Sequence, residues 1–273
     1  MLRRVEFLII GFWSEKSGKG AVTYNMIATG LCMAMNYKKD IILIQAKYDY
    51  NRLDYAFIPF SDSNMMKEDY GYYNYGGIDS VLSRMENGIY TNRYFNNEII
   101  RVKNSNLYFL PSTRKGGSEL FNTRLYKILE KYIDELKKID AIILIELCNG
   151  FEYVSKELLN SLDLLVVNIS QDNKAIEDIR NNNMIMEKSV FVIGRYDDCS
   201  EFNLKNISRR YGIEEQYIGV IPYNVKFKDS VCQGRCKEFF DRHFNTWKED
   251  DNCIFIKCVR SVVDIIKKRC VIE

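Results

Sequence analysis

Residues Ile9–Ala28 read IIGFWSEKSGKGAVTYNMIA. A short apolar run, Val5–Ile10, enters a loop with glycines at Gly18 and Gly20, and the loop enters a helix candidate. Strand, glycine loop and helix in that order make an anion site, because bare backbone N–H groups and a helix N-terminus converge there. The phosphate-loop pattern G-x-x-x-x-G-K-[ST] is nearly met. It asks for glycine five residues before Gly18, where Trp13 stands, and for Ser or Thr after Lys19, where Gly20 stands. Whether a phosphate still binds is therefore the question this stretch poses.

The chain has 273 residues, 47% hydrophobic and 28% charged, enough to bury a large core in one α/β domain over 1–273. Its formal charge of +2 selects no polyanion globally. Basic clusters at Arg3-Arg4, Lys38-Lys39, Arg209-Arg210 and Lys267-Lys268-Arg269 read as solvated faces, with non-specific DNA or acidic lipid as the alternative. Eight cysteines without a C-x-x-C pair, and a lone His243, fit reduced structural thiols better than zinc or a disulfide scaffold. The N-terminal apolar run is short and continues into the glycine loop, so it reads as a buried strand rather than an export signal. No stretch approaches the roughly 18–20 apolar residues of a membrane span, and the expected location is the cytoplasm.

Apolar runs alternate with helix candidates, the pattern of parallel strands covered on both faces. Strands are expected at Val5–Ile10, Ile41–Ile44, Leu107–Leu110, Ala141–Ile145, Leu164–Ile169, Val190–Ile193 and Tyr217–Ile221. Helices are expected at Val22–Met35, Ile78–Met85, Thr123–Lys137, Lys156–Leu162, Lys174–Met186 and Asn203–Tyr211. In Thr123–Lys137, Leu125, Ile128, Leu129, Tyr132, Ile133 and Leu136 recur at three- and four-residue spacing, a core face. Residues 60–77 are tyrosine-rich and aperiodic and read as a surface insertion, which either packs on itself or offers a partner-binding surface. Residues 253–269 read as a closing C-terminal helix. The terminal Cys270-Val-Ile-Glu273 is a poor prenylation tetrapeptide because of its final Glu. The expected fold is three-layer α/β/α with a mostly parallel sheet of about seven strands.

Taken in order, these segments resemble the ParA/MinD superfamily of deviant Walker P-loop ATPases (SIMIBI-type), over nearly the whole chain. Ser14–Thr23 (SEKSGKGAVT) is similar to its S-x-K-G-G-x-G-K-[ST]-[ST], and Asn25–Ala28 (NMIA) to its N-[LM]-A. Gln45-Ala46-Lys47 stands at its D-x-D, Gly77–Leu82 (GIDSVL) at the following helix, and Leu110-Pro111-Ser112 at L-P-[AS]. Asp140–Glu146 (DAIILIE) resembles the Walker B strand and Leu147–Gly150 (LCNG) its switch II turn. Ser161–Val167, Ile221–Asn224 (IPYN) and Asp229–Gly234 (DSVCQG) resemble later family segments.

The departures bear on function. Counted back from Asn25, Lys19 is the phosphate lysine, Gly20 stands at the magnesium hydroxyl and Ser14 at the deviant lysine. Counted forward from Ser14, Lys16 is the deviant lysine, Ala21 and Val22 stand at the phosphate lysine and magnesium hydroxyl, and Thr23 is the second hydroxyl. The forward register keeps the strand-to-loop junction gapless and is preferred; it is similar to TadZ-like members, with altered Walker lysines and a role at pilus assembly sites. Gln45 and Lys47 replace the D-x-D carboxylates, and a lysine can neither hold Mg²⁺ nor activate water. Asp49 or Asp54 could compensate only along a different backbone path. Glu146 is the carboxylate left at the Walker B position, and Gly194 stands in Val190–Arg195 where the family reads the base with asparagine.

The resemblance thus implies a nucleotide site at Lys16, Ser17, Gly18, Lys19, Gly20 and Thr23, with switch residues Gln45, Lys47, Asp49, Glu146, Asn149 and Gly150. ATP remains a candidate ligand and Mg²⁺ a poor one, with Thr23 its best hydroxyl. The expected protein is a degenerate homodimeric member with weak or no hydrolysis, positioning a bacterial pilus, secretion, conjugation or partition apparatus from the cytoplasm, the inner-membrane surface or the cell pole. The rival expectation is an active but atypical ATPase using Lys16 or Lys19, Thr23 and Glu146.

Overall fold

The computed structural model describes residues 8–49, 52–59, 76–113, 117–246 and 250–270. Most of the tyrosine-rich segment (60–75), the basic pair Arg3-Arg4 and the last three residues lie outside the described residues. Eight strands form one sheet: β1 (Leu8–Trp13), β2 (Ile41–Gln45), β3 (Ile100–Arg101), β4 (Leu107–Phe109), β5 (Ile142–Glu146), β6 (Leu164–Ile169), β7 (Ser189–Tyr196) and β8 (Ile218–Pro222). Their order is β3-β4-β2-β5-β1-β6-β7-β8. All neighbours are parallel except β3 with β4. The expected seven strands become eight because β3 pairs antiparallel through Ile100 and Arg101 only, too short to leave a pattern in the sequence.

Helices cover both faces: α1 (Val22–Asn36), α2 (Ile78–Glu86), α3 (Asn92–Glu98), α4 (Ser118–Leu136), α5 (Lys156–Ser161), α6 (Asn173–Arg180), α7 (Asn183–Glu187), α8 (Leu204–Tyr211), α9 (Val225–Cys232), α10 (Cys236–His243) and α11 (Asp251–Cys270). Strand residues alternate between the two layers, as a period of two requires. Ile9, Trp13, Ile42, Ile44, Ile143, Ile145, Leu165 and Val167 face a core built with α2–α8. Ile10, Phe12, Ile41, Leu43, Ile142, Leu144 and Val166 face the other, built with α1 and α9–α11. Both faces are buried, which is why these strands read as unbroken apolar runs.

The expected helix over Lys174–Met186 is two helices. Asn182 sits in an extended conformation and its side chain accepts from the Ile185 amide, so the chain stops and restarts there. The closing helix, expected over 253–269, starts two residues sooner, with Asp250 Oδ1 accepting from the Cys253 amide near its first turn. Strand β1 runs to Trp13, three residues beyond its expected end. Trp13 is therefore a sheet residue, fully buried against Phe151 at 5.3 Å between ring centroids, and not a member of the loop.

Candidate functional site

The C-terminal ends of β1, β2, β5, β6 and β7 meet beneath the glycine loop. Parallel register aligns Phe12 and Gln45 with Glu146, which brings the last residues of β2 and β5 side by side. Helix α1 begins at Val22, preceded by Ala21 in the left-handed conformation (φ 53°, ψ 35°) with no side-chain cap. Thr23 thus lies in the first helical turn, and its Oγ1 donates to Glu146 Oε1 at 2.7 Å.

The loop is held down on the sheet by its own polar groups. Buried Asn25 donates from Nδ2 to the Gly20 carbonyl (3.0 Å) and to Asn168 Oδ1 (2.8 Å). Asn168 Nδ2 in turn donates to the Trp13 carbonyl. On the opposite side Asn149 Nδ2 donates to Ser14 Oγ (2.8 Å) and to the Ser14 carbonyl (3.1 Å), while Trp13 Nε1 donates to the Gly150 carbonyl. Gly194 explains how close the loop comes: a Cβ there would lie 2.3 Å from the Gly20 carbonyl oxygen and 2.9 Å from Asn25 Nδ2. A residue with any side chain at 194 would push the loop off the sheet.

The loop lysines face outward. Lys16 pairs with its neighbour Glu15 at 3.2 Å. Lys19, with half its side chain exposed, pairs with Asp172 at 2.7 Å, and that carboxylate holds its ammonium above the ordinary lysine range. Ser17 and Gly18 are exposed at the tip. Thr23, Gln45, Lys47, Asp49 and Glu146 come together below; Lys16 and Lys19 do not join them.

Glu146 has no exposure. Its Oε2 accepts from Gln45 Nε2 at 3.0 Å, and its Oε1 faces both Thr23 and the Lys47 ammonium, the latter at 2.8 Å. Lys47 also reaches Asp49 Oδ2 at 2.9 Å and is only 7% exposed. Burial alone would lower the Lys47 ammonium, but Glu146 and Asp49 more than offset it and hold it above its ordinary value. Gln45 Oε1 accepts from Ser112 Oγ and the Leu53 amide, fixing the amide that serves Glu146. Asp54 turns away, accepting from the Ser112 amide and pairing with Arg52.

These residues do not fit a resident Mg²⁺. Glu146, Asp49 and the Thr23 hydroxyl are oxygen donors of the right kind, but a lysine ammonium lies among them. A divalent ion about 4 Å from that ammonium would be repelled by roughly 8 kcal/mol at an effective dielectric constant of about 20.

Two cavities flank the loop. One, of about 330 Å³, is lined by Tyr24, Asn25, Arg195, Pro222, Tyr223 and Phe227 among others, a mix of rings, a cation and a buried amide that suits a planar heterocycle. Arg195, next to Gly194 in the chain, is one of its lining residues. The other, of about 300 Å³, is lined by Ser17, Lys47, Tyr48, Asp49, Asn122, Cys148, Asn149 and Tyr153. Sequence reasoning had assigned no role to Asn25 as an anchor or to Asn168. The signal for Asn168 was its position, an amide inside the apolar run Leu164–Ile169.

A parallel sheet with helices on both faces, opened by strand, glycine loop and helix, defines a three-layer P-loop NTPase fold. No family model matches the sequence, and no curated protein matches it. Solved structures do. A ParA family ATPase from Chlorobium tepidum superposes with a TM-score of 0.65 at 12% identity, over 95% of this chain and 97% of that one. MinD in the MinC:MinD cell division complex of Aquifex aeolicus gives 0.66 at 16% identity, over 96% of each chain. A putative plasmid partition protein from Borrelia burgdorferi, bound to AMPPNP, gives 0.63 at 16% identity, over 96% and 99%. The fold is ParA/MinD-like.

Proposed function

We propose that this chain is a degenerate ParA/MinD-like protein, TadZ-like in its altered Walker lysines, that works as a positioning or assembly module for a bacterial pilus, secretion, conjugation or partition apparatus with weak or no ATP hydrolysis. The observation that carries the reading is the buried Lys47–Glu146 pair at the place where a metal would be needed. Phosphoryl transfer depends on a metal, a phosphate lysine and an oriented water. Here the loop lysines are paired with Glu15 and Asp172 and the loop backbone is bonded to Asn25 and Asn149. The solved relatives of similar fold include one in a complex with MinC and one named for plasmid partition, which supports a role in spatial organisation through partners.

The test is light scattering on the purified chain with and without ATP and Mg²⁺, beside a phosphate-release assay. The expected result is an oligomeric state, a homodimer in this proposal, that ignores Mg²⁺-ATP, with no turnover above a control. Nucleotide-driven dimerisation with rapid phosphate release would sink it.

A second reading, nucleotide binding by a rearranged and slow ATPase, is favoured by the cavity beside Tyr24 and Arg195 and by the Thr23–Glu146 contact. It requires that Lys16→Ala/Lys19→Ala abolish whatever hydrolysis is measured. A third reading is a nucleic-acid-associated partition protein that uses Arg209, Arg210 and Lys267–Arg269 on phosphates, although basic residues in the last turns of α8 and α11 also complement the helix dipoles. Such binding would fall steeply with salt. No helix among the described residues is long and apolar enough to cross a membrane.

A further inference from the structure

In P-loop NTPases a divalent ion is held between the hydroxyl that follows the loop and a carboxylate at a strand end, and in this chain the residues around that place still look like a cation site. Glu146 Oε1, Asp49 Oδ2 and Thr23 Oγ1 converge there, on three different elements or their adjoining loops. Two carboxylates and a hydroxyl are a hard-cation donor set. The cation the chain supplies is its own: the Lys47 ammonium lies 2.8 Å from Glu146 and 2.9 Å from Asp49. We infer that Lys47 is a built-in replacement for the divalent ion, holding the ends of β2 and β5 and the first turn of α1 in one arrangement that no longer responds to metal.

The geometry supports a replacement rather than an incidental ion pair. Lys47 is two residues beyond the end of β2, so its stem runs along the sheet end into a buried position. Glu146 ends β5, and the Thr23 hydroxyl that donates to it starts α1, so one carboxylate links all three elements. Gln45 completes the set by donating to the other oxygen of Glu146 while held by Ser112 and Leu53. Each departure from the D-x-D pattern thus has a partner: the neutral amide serves one carboxylate oxygen and the lysine charge neutralises the other. Lys47 is a positioning residue in this account.

The inference rests on the pseudo-ATPase reading, and its test uses no nucleotide, so that the two fail separately. Mn²⁺ is titrated into the protein and the free ion is counted by electron spin resonance, alongside thermal unfolding in Mn²⁺ and in EDTA. The wild-type chain is expected to bind no Mn²⁺ at this place and to unfold at the same temperature in both. Lys47→Ala leaves the buried Glu146 carboxylate without the cation it shares with the partly exposed Asp49 and should lower Tm by roughly 5–15 °C in EDTA. It should also gain one Mn²⁺ per chain, recover most of the lost Tm in Mn²⁺, and lose both effects when Glu146→Gln is added. A purely structural ion pair would give the Tm loss without the metal rescue.

If Lys47→Ala does not fold alone, Lys47→Ser, which keeps a hydroxyl for Glu146, carries the same comparison. Stoichiometric Mn²⁺ binding by the wild type that disappears in Glu146→Gln overturns the inference. So does a small-residue variant that binds no Mn²⁺ and shows the same Tm in Mn²⁺ and EDTA. A wild type that binds Mn²⁺ yet hydrolyses nothing would overturn this inference alone; one that excludes Mn²⁺ but turns over ATP would overturn the pseudo-ATPase reading alone.

Discussion

Gly194→Ala is the sharpest probe of the collapsed loop. The new Cβ would stand 2.3 Å from the Gly20 carbonyl oxygen and 2.9 Å from Asn25 Nδ2, where ordinary contact begins at 3.4 Å, so the loop must retreat by about 1.1 Å (3.4 − 2.3). Neither neighbour can give freely: one is backbone, and the other is a buried amide bonded to both Gly20 and Asn168. Overpacking costs about 1–3 kcal/mol, and weakening one of those buried hydrogen bonds adds about 1 kcal/mol. The sum is about 2–4 kcal/mol, a fall in Tm of roughly 5–15 °C for a chain of this size. Urea unfolding followed by circular dichroism measures it, with a lower midpoint and an unchanged slope expected. A loss below about 0.5 kcal/mol would refute the close approach of loop to sheet.

Further perturbations separate the buried network from the exposed loop. Phe227→Ala should cost about 3–5 kcal/mol by chemical denaturation, since Phe227 is buried and its ring meets Tyr24, Phe239, Phe240 and Phe255. Lys19→Ala should leave Tm unchanged, because its pair with Asp172 is exposed to solvent. Burial pushes the Cys32 and Cys148 thiols from 9.0 to about 12. Unfolded thiols ionise first, so the folded state should lose stability as pH rises from 9 towards 12, read as a falling Tm; replacing both by Ala should make that slope shallower, the remainder coming from Tyr24, Tyr37, Cys236 and Cys270, which burial also pushes up. Asn149→Ala removes two bonds to Ser14 and should speed amide hydrogen exchange in the loop while leaving the sheet protected.

The layers of the fold were legible because β5 and β6 are buried on both faces and therefore read as apolar runs. The short α9 and α10 escaped because each is a two-turn helix, too brief for a period to emerge, whose phenylalanines pack against residues of distant elements such as Tyr24 and Phe255. At the site, the sequence announced a loss, Gln45 and Lys47 where carboxylates were expected. It could not announce the gain, because whether Lys47 turns towards Glu146 depends on side chains brought together from β2, β5 and α1. Gly194 was similar: its lack of an amide was visible, but its reason for being glycine is a contact with Gly20, far away in the chain.

The sheet's outermost strand, β3, has two residues and runs against its neighbour, with Arg101 exposed and donating to the Ser105 carbonyl. An edge that short, carrying a charge, offers almost no ladder for a foreign strand to extend. At that edge the fold is guarded against fibre growth, and a neighbour docking on that side of the sheet has to be chosen by side chains of the flanking helices and loops rather than by backbone pairing.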